Sequence, residues 1–244
     1  MARNFVAAST QKIDFGDVTE LKSASTFTFS AWMRRSATSK RVMVAKGTAG
    51  IFETYLLMYI DGNIYVKVTS GIENFAAVTL DNTNWAHVTM VYDGGQAVNN
   101  DRVLLYVNGA LQAPTYSGTF PATSSSSTAP LNAGKRDTTS QYADGDVAEV
   151  KIWTKTLSAK EIIQDFVGVI PRDTLVFHAP MGWDSPEPDI SGSKYTGTLT
   201  NTPTIADHVP APYLYGFDTQ SKLVSAAAPT GPPLGGHSLM GVGR

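Results

Sequence analysis

The segment Gly145-Asp146-Val147-Ala148-Glu149-Val150-Lys151-Ile152-Trp153-Thr154-Lys155-Thr156-Leu157-Ser158 constrains the fold most, because it reads as a strand running straight into a short capped helix. Strict alternation puts Val147, Glu149, Lys151 and Trp153 on one side and Ala148, Val150 and Ile152 on the other. Ser158 and Glu161 have capping-box spacing: the serine oxygen accepts from the third helical N–H, and the glutamate reaches back to the serine N–H. Leu157 and Ile162 flank that cap where a hydrophobic staple forms. Ile162, Ile163 and Phe166 supply an apolar helical face, and Gly168 is placed to stop the helix.

Strand signals with turn punctuation fill most of the remaining chain, as in sandwiches and barrels. In residues 26–34, Phe27, Phe29, Ala31 and Met33 alternate with Thr28, Ser30, Trp32 and Arg34. Residues 52–60 and 63–69 flank Asp61-Gly62, a hairpin signal. In residues 85–92, Ala86, Val88, Met90 and Tyr92 share one side. Residues 102–107 and 110–113 flank Asn108-Gly109, the strongest short-hairpin dipeptide. Residues 121–130 are mostly serine and threonine and are expected to form an exposed loop. Residues 174–179 and 195–199 read as returning strands that pair with early ones and close the domain near Asp207.

Composition excludes several chemistries. A net charge of −2 with no Lys/Arg-rich run argues against binding driven by phosphate neutralisation, so no nucleic-acid partner is expected. With no cysteine, disulfides, thiolate metal sites and cysteine nucleophiles are all ruled out, which favours folding in a reducing cytosol. The opening Met1-Ala2-Arg3-Asn4-Phe5 lacks the apolar run of a signal peptide, and no window approaches the roughly 18 apolar residues of a membrane span. No membrane partner is therefore expected, and synthesis inside a cell is.

The chain changes character at residue 210. Residues 210–244 hold five prolines and six glycines among 35 residues, a share typical of segments that pack no core of their own. Tyr213, Tyr215, Phe217, Leu223, Leu234, Leu239 and Met240 nevertheless make it too apolar for a plain solvated linker. Two regions follow: a sandwich over residues 1–209 and an extended Pro/Gly-rich arm over 210–244. The arm's aromatics are expected to anchor in a partner's pocket.

Several motifs together carry a family resemblance. Residues 5–14 with Phe27-Thr28-Phe29-Ser30-Ala31-Trp32-Met33 look like two opening strands, and Asn84-Trp85-Ala86-His87-Val88-Thr89-Met90-Val91-Tyr92-Asp93 like a central W-x-H-V strand. Leu104-Leu105-Tyr106-Val107-Asn108-Gly109 looks like an L-Y-V-N-G hairpin, and residues 145–162 like a closing strand and helix. Asp189-Ile190-Ser191-Gly192 followed by Gly197-Thr198-Leu199-Thr200 looks like a recurring edge segment. Over residues 3–207 the chain thus resembles the laminin-G-like, concanavalin A-like jelly rolls. The resemblance implies an all-β sandwich of two antiparallel sheets with one short helix near residues 158–167. It is weak for function, because this sandwich hosts enzymes, lectins, adhesion modules and virion proteins.

The residues favour a non-enzyme. Sandwich glucanases of the superfamily are expected to carry Glu-x-Asp-x-x-Glu on one strand, whereas Glu149 stands alone between Ala148 and Val150. His87, His178, His208 and His237 are not at metal-ligand spacing, and no Gly-x-Ser-x-Gly or Gly-Lys-Ser/Thr stretch occurs. His87 on an alternating strand reads as a satisfied sheet residue. No cofactor is expected. Calcium is the one cation the resemblance leaves open, and Ala148, where many relatives carry aspartate, argues against it. Asp61, Asp144 and Asp146 read as turn residues.

Two functional readings follow. Proteins with this resemblance, no signal peptide and no cysteine are frequent among tailed-bacteriophage virion components. The resemblance thus implies a capsid decoration or cement protein, made in the host cytoplasm and located in the virion. Its partners would be the major capsid protein or other virion subunits, in many copies on a symmetric shell or as a homo-oligomer. The alternative is a carbohydrate-binding or host-adhesion module. Tyr55, Tyr59 and Tyr65 are its glycan-contacting candidates, with Trp32 and Trp153 as further aromatics able to stack on a sugar, although strand aromatics more often serve the core.

Overall fold

A computed structural model describes residues 1–36, 41–48, 52–60, 62–69, 75–80, 84–136, 141–183, 185–192 and 195–208, with backbone alone at 48, 52–60, 69 and 75. The chain divides into Met1–Tyr213 and Leu214–Arg244, and every described residue belongs to the first unit. Tyr213, Tyr215, Phe217, Leu223, Leu234, Leu239 and Met240 lie outside the described residues.

The strands in chain order are β1 (Ala2–Phe5), β2 (Lys12–Asp14), β3 (Thr26–Arg35), β4 (Arg41–Thr48), β5 (Phe52–Ile60) and β6 (Asn63–Thr69). Next come β7 (Phe75–Thr79), β8 (Ala86–Asp93), β9 (Val103–Val107), β10 (Ala110–Leu111), β11 (Thr115–Ser117) and β12 (Leu131–Ala133). Strand β13 (Gly145–Trp153), helix α1 (Ala159–Phe166), β14 (Leu175–Ala179), β15 (Glu187–Pro188), β16 (Thr196–Thr200) and β17 (Thr204–Ala206) complete the set. One sheet runs β10-β9-β8-β3-β13-β1-β17, with β14 also paired to β13. The other runs β11-β7-β6-β5-β4-β12-β2-β16-β15. Every named strand pair is antiparallel. This is the expected all-β jelly-roll sandwich.

The period-2 pattern builds its core. Phe27, Phe29, Ala31 and Met33 of β3 and Ala86, Val88, Met90 and Tyr92 of β8 point inward against Ile64, Val66 and Val68 of β6 and Ile13, Leu131 and Ala133. Burying each of the Phe, Val, Ile, Leu and Met side chains among them contributes about 1.5–3 kcal/mol. The β9–β10 turn uses Asn108 and Gly109 at φ 51° and 76°, the left-handed pair a two-residue hairpin needs. Strand β10 ends at Leu111, short of Ala113.

The closing strand departs from strict alternation. Its pairing with β3 shifts between Ala148 and Lys151, and Glu149 sits at φ 51°. This bulge inserts one extra residue and flips the faces. Val147, Val150 and Ile152 all enter the core, while Ala148, Lys151 and Trp153 face away from it, toward the α1 side. Val147 therefore does not share a face with Lys151 and Trp153. Asp146 is a buried strand residue and not a turn residue, held by Asn4 Nδ2 at 2.8 Å and Arg34 Nε at 2.7 Å. Gly145 is required at its φ of 138°, where a Cβ would lie 2.2 Å from the Arg34 carbonyl oxygen.

Helix α1 begins as its sequence dictates. Ser158 Oγ accepts from the Glu161 N–H and Glu161 accepts from the Ser158 N–H, a cap worth about 1 kcal/mol. Hydrogen bonds from Lys155 and from the Ser158 backbone and hydroxyl hold the Glu161 carboxyl down at about 2. Leu157 and Ile162 pack together with Trp153, Val91 and Tyr106, and Gly168 at φ 86° follows the last turn. The buried face contains Ile162 and Asp165, whereas Ile163 is 50% exposed. Residues 121–130 form no strand but are not simply exposed, since buried Ser124 donates to the Leu21 carbonyl and accepts from the Ala24 N–H.

Candidate functional site

The two sheets differ in what covers their outer faces. Helix α1 lies over the β3–β8–β13 face, and the aromatic candidates there are consumed by packing. Trp153 is fully buried with Nε1 donating to the Pro171 carbonyl at 2.7 Å, and Trp32 is buried with its ring stacked on Phe166. Neither is available to a sugar.

Beneath α1 sits a buried charge network. Asp165 Oδ2 accepts from Ser30 Oγ at 2.6 Å and from His87 Nε2 at 3.1 Å, and Lys151 Nζ lies 3.0 Å from Oδ1. Ser30, His87, Lys151 and Asp165 are all 2% exposed or less. Burial pushes the Asp165 carboxyl up, but the Lys151 ammonium, His87 and Ser30 outweigh it and hold the group below the usual carboxylate range. Burial drives the His87 imidazole down despite Asp165 beside it. Serine and histidine both bond the carboxylate and not each other. The arrangement is an anchor for the helix and not a hydrolytic triad, whose base must contact the nucleophile.

The outer face of the other sheet carries a groove of about 490 Å³ at the β6–β7–β11 end, lined by Asn63, Tyr65, Ala77, Thr79, Ala113 and Thr115 among others. Ladder register creates it. Tyr65 pairs with Ala77 and Ala77 with Thr115, while Asn63 pairs with Thr79. Ile64, Val66 and Val68 take the inward positions, so the period of two turns Asn63, Tyr65 and Lys67 outward. The small side chain of Ala77 leaves room beside the half-buried Tyr65 ring, which packs on Val42 and Ala45. Thr79 Oγ1 donates to Asn63 Oδ1 at 3.0 Å, fixing the amide at the groove's edge. Among the described residues, no carboxylate, histidine or cationic side chain lines the groove. Its described lining offers an aromatic face with hydroxyl and amide groups, which suits recognition.

Of the sequence-stated glycan candidates, Tyr65 is in this groove. Tyr55 is placed by backbone register opposite Ala45 and Lys67, and Tyr59 opposite Arg41 and Ile64; their side chains lie outside the described residues. Sequence reasoning missed Asn63, Ala77, Thr79, Ala113 and Thr115. Their signal was the polar half of each alternating strand, which looks the same wherever a sheet meets solvent. A second row, Thr198, Asp14, Asn132 and Ala45, crosses the same sheet from β16 to β4. Among the described residues, no group of three or more His, Asp or Glu side chains is arranged to hold a metal ion, and no helix is long and apolar enough to cross a membrane.

Two antiparallel sheets with an exposed groove define a sandwich of the lectin type of architecture. The family model described as the concanavalin A-like lectin/glucanases superfamily, of the laminin G group, matches residues 7–163, more than half of the chain, and the chain belongs to that family. No curated protein matches it. Among solved structures, it is similar to one described as a "putative carbohydrate binding protein" from Bacteroides ovatus, at 18% identity and a TM-score of 0.56. That likeness covers 81% of this chain and 57% of the Bacteroides protein, so the chain spans little more than half of it. The heptameric SAP-like pentraxin of Limulus polyphemus matches at 12% identity and TM-score 0.45, over 78% of this chain and 95% of that one. Domain 4 of the arabinanase AbnA from Geobacillus stearothermophilus, in complex with arabinotriose, matches at 17% and 0.48, over 63% and 71%. At these identities the likeness concerns the fold.

Proposed function

We propose that this chain is a non-catalytic glycan-binding module that receives a sugar in the groove beside Tyr65. The groove itself carries the reading: an aromatic ring with hydroxyl and amide groups around it and, among the described residues, no ionisable pair to do chemistry. A pyranose presents an apolar face and a polar rim, and a half-buried tyrosine ringed by Thr79, Thr115 and Asn63 complements both. Membership of a lectin/glucanase superfamily and the fold shared with the Bacteroides protein support it. The sequence contains no Glu-x-Asp-x-x-Glu pattern, which favours binding over hydrolysis. The test is a glycan array followed by titration of the best ligand. Tyr65→Ala should weaken binding by about 10-fold or more, equivalent to roughly 1.4 kcal/mol. Undiminished binding, or no ligand on the array, would contradict the proposal.

A second reading is favoured by the composition of residues 210–244, whose apolar side chains interrupt a Pro/Gly-rich segment. It makes the chain a virion decoration protein that straps itself to neighbouring capsid subunits, with the groove displayed outward. Deleting residues 210–244 should leave a folded sandwich that no longer joins particles. Unchanged incorporation would sink this reading.

A further inference from the structure

Three of the chain's four histidines, far apart in sequence, meet on the α1-covered face of the sandwich. His87 of β8 bonds Asp165, and His178 of β14 bonds Glu149 of β13 through Nε2 at 2.7 Å. His208, two residues beyond β17, is wedged edge-on between two indoles. Its ring centroid lies 5.5 Å from Trp32 and 5.0 Å from Trp85, at 85° and 61° to their planes. Each histidine keeps one buried ring nitrogen with no hydrogen-bond partner among the described residues: Nδ1 of His87, Nδ1 of His178 and Nε2 of His208. A proton added there would create a buried N–H with no acceptor, the costly half of hydrogen-bond asymmetry.

We propose that His208 is an acid-sensitive latch: its neutral ring clamps residues 207–208 onto Trp32 and Trp85, and its protonation releases them and uncovers both indoles. The surrounding charges set the direction. From the N-terminus comes the Met1 amine, from β13 Lys151 and Glu149, and from β8 His87. Arg34 of β3 lies over the Trp85 ring at 5.2 Å. Asp165 of α1 is already committed to Lys151, His87 and Ser30, and His178 of β14 to Glu149. Among the described residues, Glu149 is the acidic group that acts most on His208, against the Met1 amine, Lys151 and His87. Burial first, then the amine, push the His208 imidazole down to about 4. An unfolded histidine titrates near 6.5, so the released state binds more protons between those values. The clamp is complete above about pH 6.5 and is lost as the pH falls toward 4. In that window the released population rises by up to about 10-fold per pH unit.

The experiment uses the full chain in a Trp183→Phe background, which removes an indole that is 56% exposed. Acrylamide quenching of tryptophan fluorescence is followed from pH 7.5 to 4 beside far-UV circular dichroism. Quenching should rise at least 2-fold below pH 6 while the β signal holds. His208→Phe, which keeps a ring that cannot titrate, should flatten the rise, and His208→Gln serves if the phenylalanine variant fails to fold. No rise in the parent, or the same rise in the folded variant, overturns the latch. NMR titration of the His208 imidazole in the parent decides independently, since protonation near 6.5 also overturns it.

Discussion

Replacing Asp165 with alanine is expected to destabilise the fold by on the order of 3–5 kcal/mol. The carboxylate is the shared acceptor for Ser30 and His87 and the ion-pair partner of Lys151, all of them buried. Removing it strands an ammonium 2% exposed to water, with only Glu149 Oε2 at 3.7 Å remaining among the described residues. It also leaves a hydroxyl and an imidazole short of their acceptor. Because domains of this kind are stable by about 5–15 kcal/mol in all, the loss should move the urea midpoint far down. Asp165→Asn tests the same network more gently, because the amide keeps an acceptor for Ser30 but no charge for Lys151. The wild type should also lose stability with acid. A depressed Asp165 contributes fully above the unfolded value near 3.9 and is lost as the pH falls below it. That acid limb should be shallower in Asp165→Ala. A cost under about 1 kcal/mol would show that α1 is held by Ile162 and Leu157 alone.

Glu187→Ala should cost a similar amount, on the order of 3–5 kcal/mol, at β15 on the edge of the other sheet. Glu187 is fully buried and accepts from the N–H groups of Met181, Gly182 and Trp183, while pairing with Arg3 at 3.3 Å. Arg3, 4% exposed, also donates to the Trp183 and Pro203 carbonyls. The pair thus ties β1 to the loop that displays Trp183. Alanine leaves a buried guanidinium without its counter-charge and three amides without their acceptor. Hydrogen exchange should report faster exchange at 181–183 together with the lower midpoint. Unchanged protection there would show that the loop is held by other contacts.

The strands were legible because their cores obey a period of two: Phe27, Phe29, Ala31 and Met33 announce β3, and Asn108-Gly109 announces its hairpin. The helix was legible through Ser158, Glu161 and the Leu157–Ile162 staple. What the sequence hid is charge that folding buries. Asp165, Arg3 and Glu187 look like solvated residues until partners 135 and 184 positions away arrive. The bulge at Glu149 was hidden too, since an inserted residue changes the faces without changing composition. At the groove, Tyr65 could be named as an outward aromatic, but Ala77 and Thr115 join it only through a ladder register that no local pattern encodes.

The most direct measurement of the groove's role is an amide NMR titration of the full chain with the best array glycan. Saturable shifts should centre on Asn63, Tyr65, Ala77 and Thr115 and vanish in Tyr65→Ala. Saturable binding whose shifts fall instead on the α1-covered face, leaving those four amides unmoved, would contradict the account.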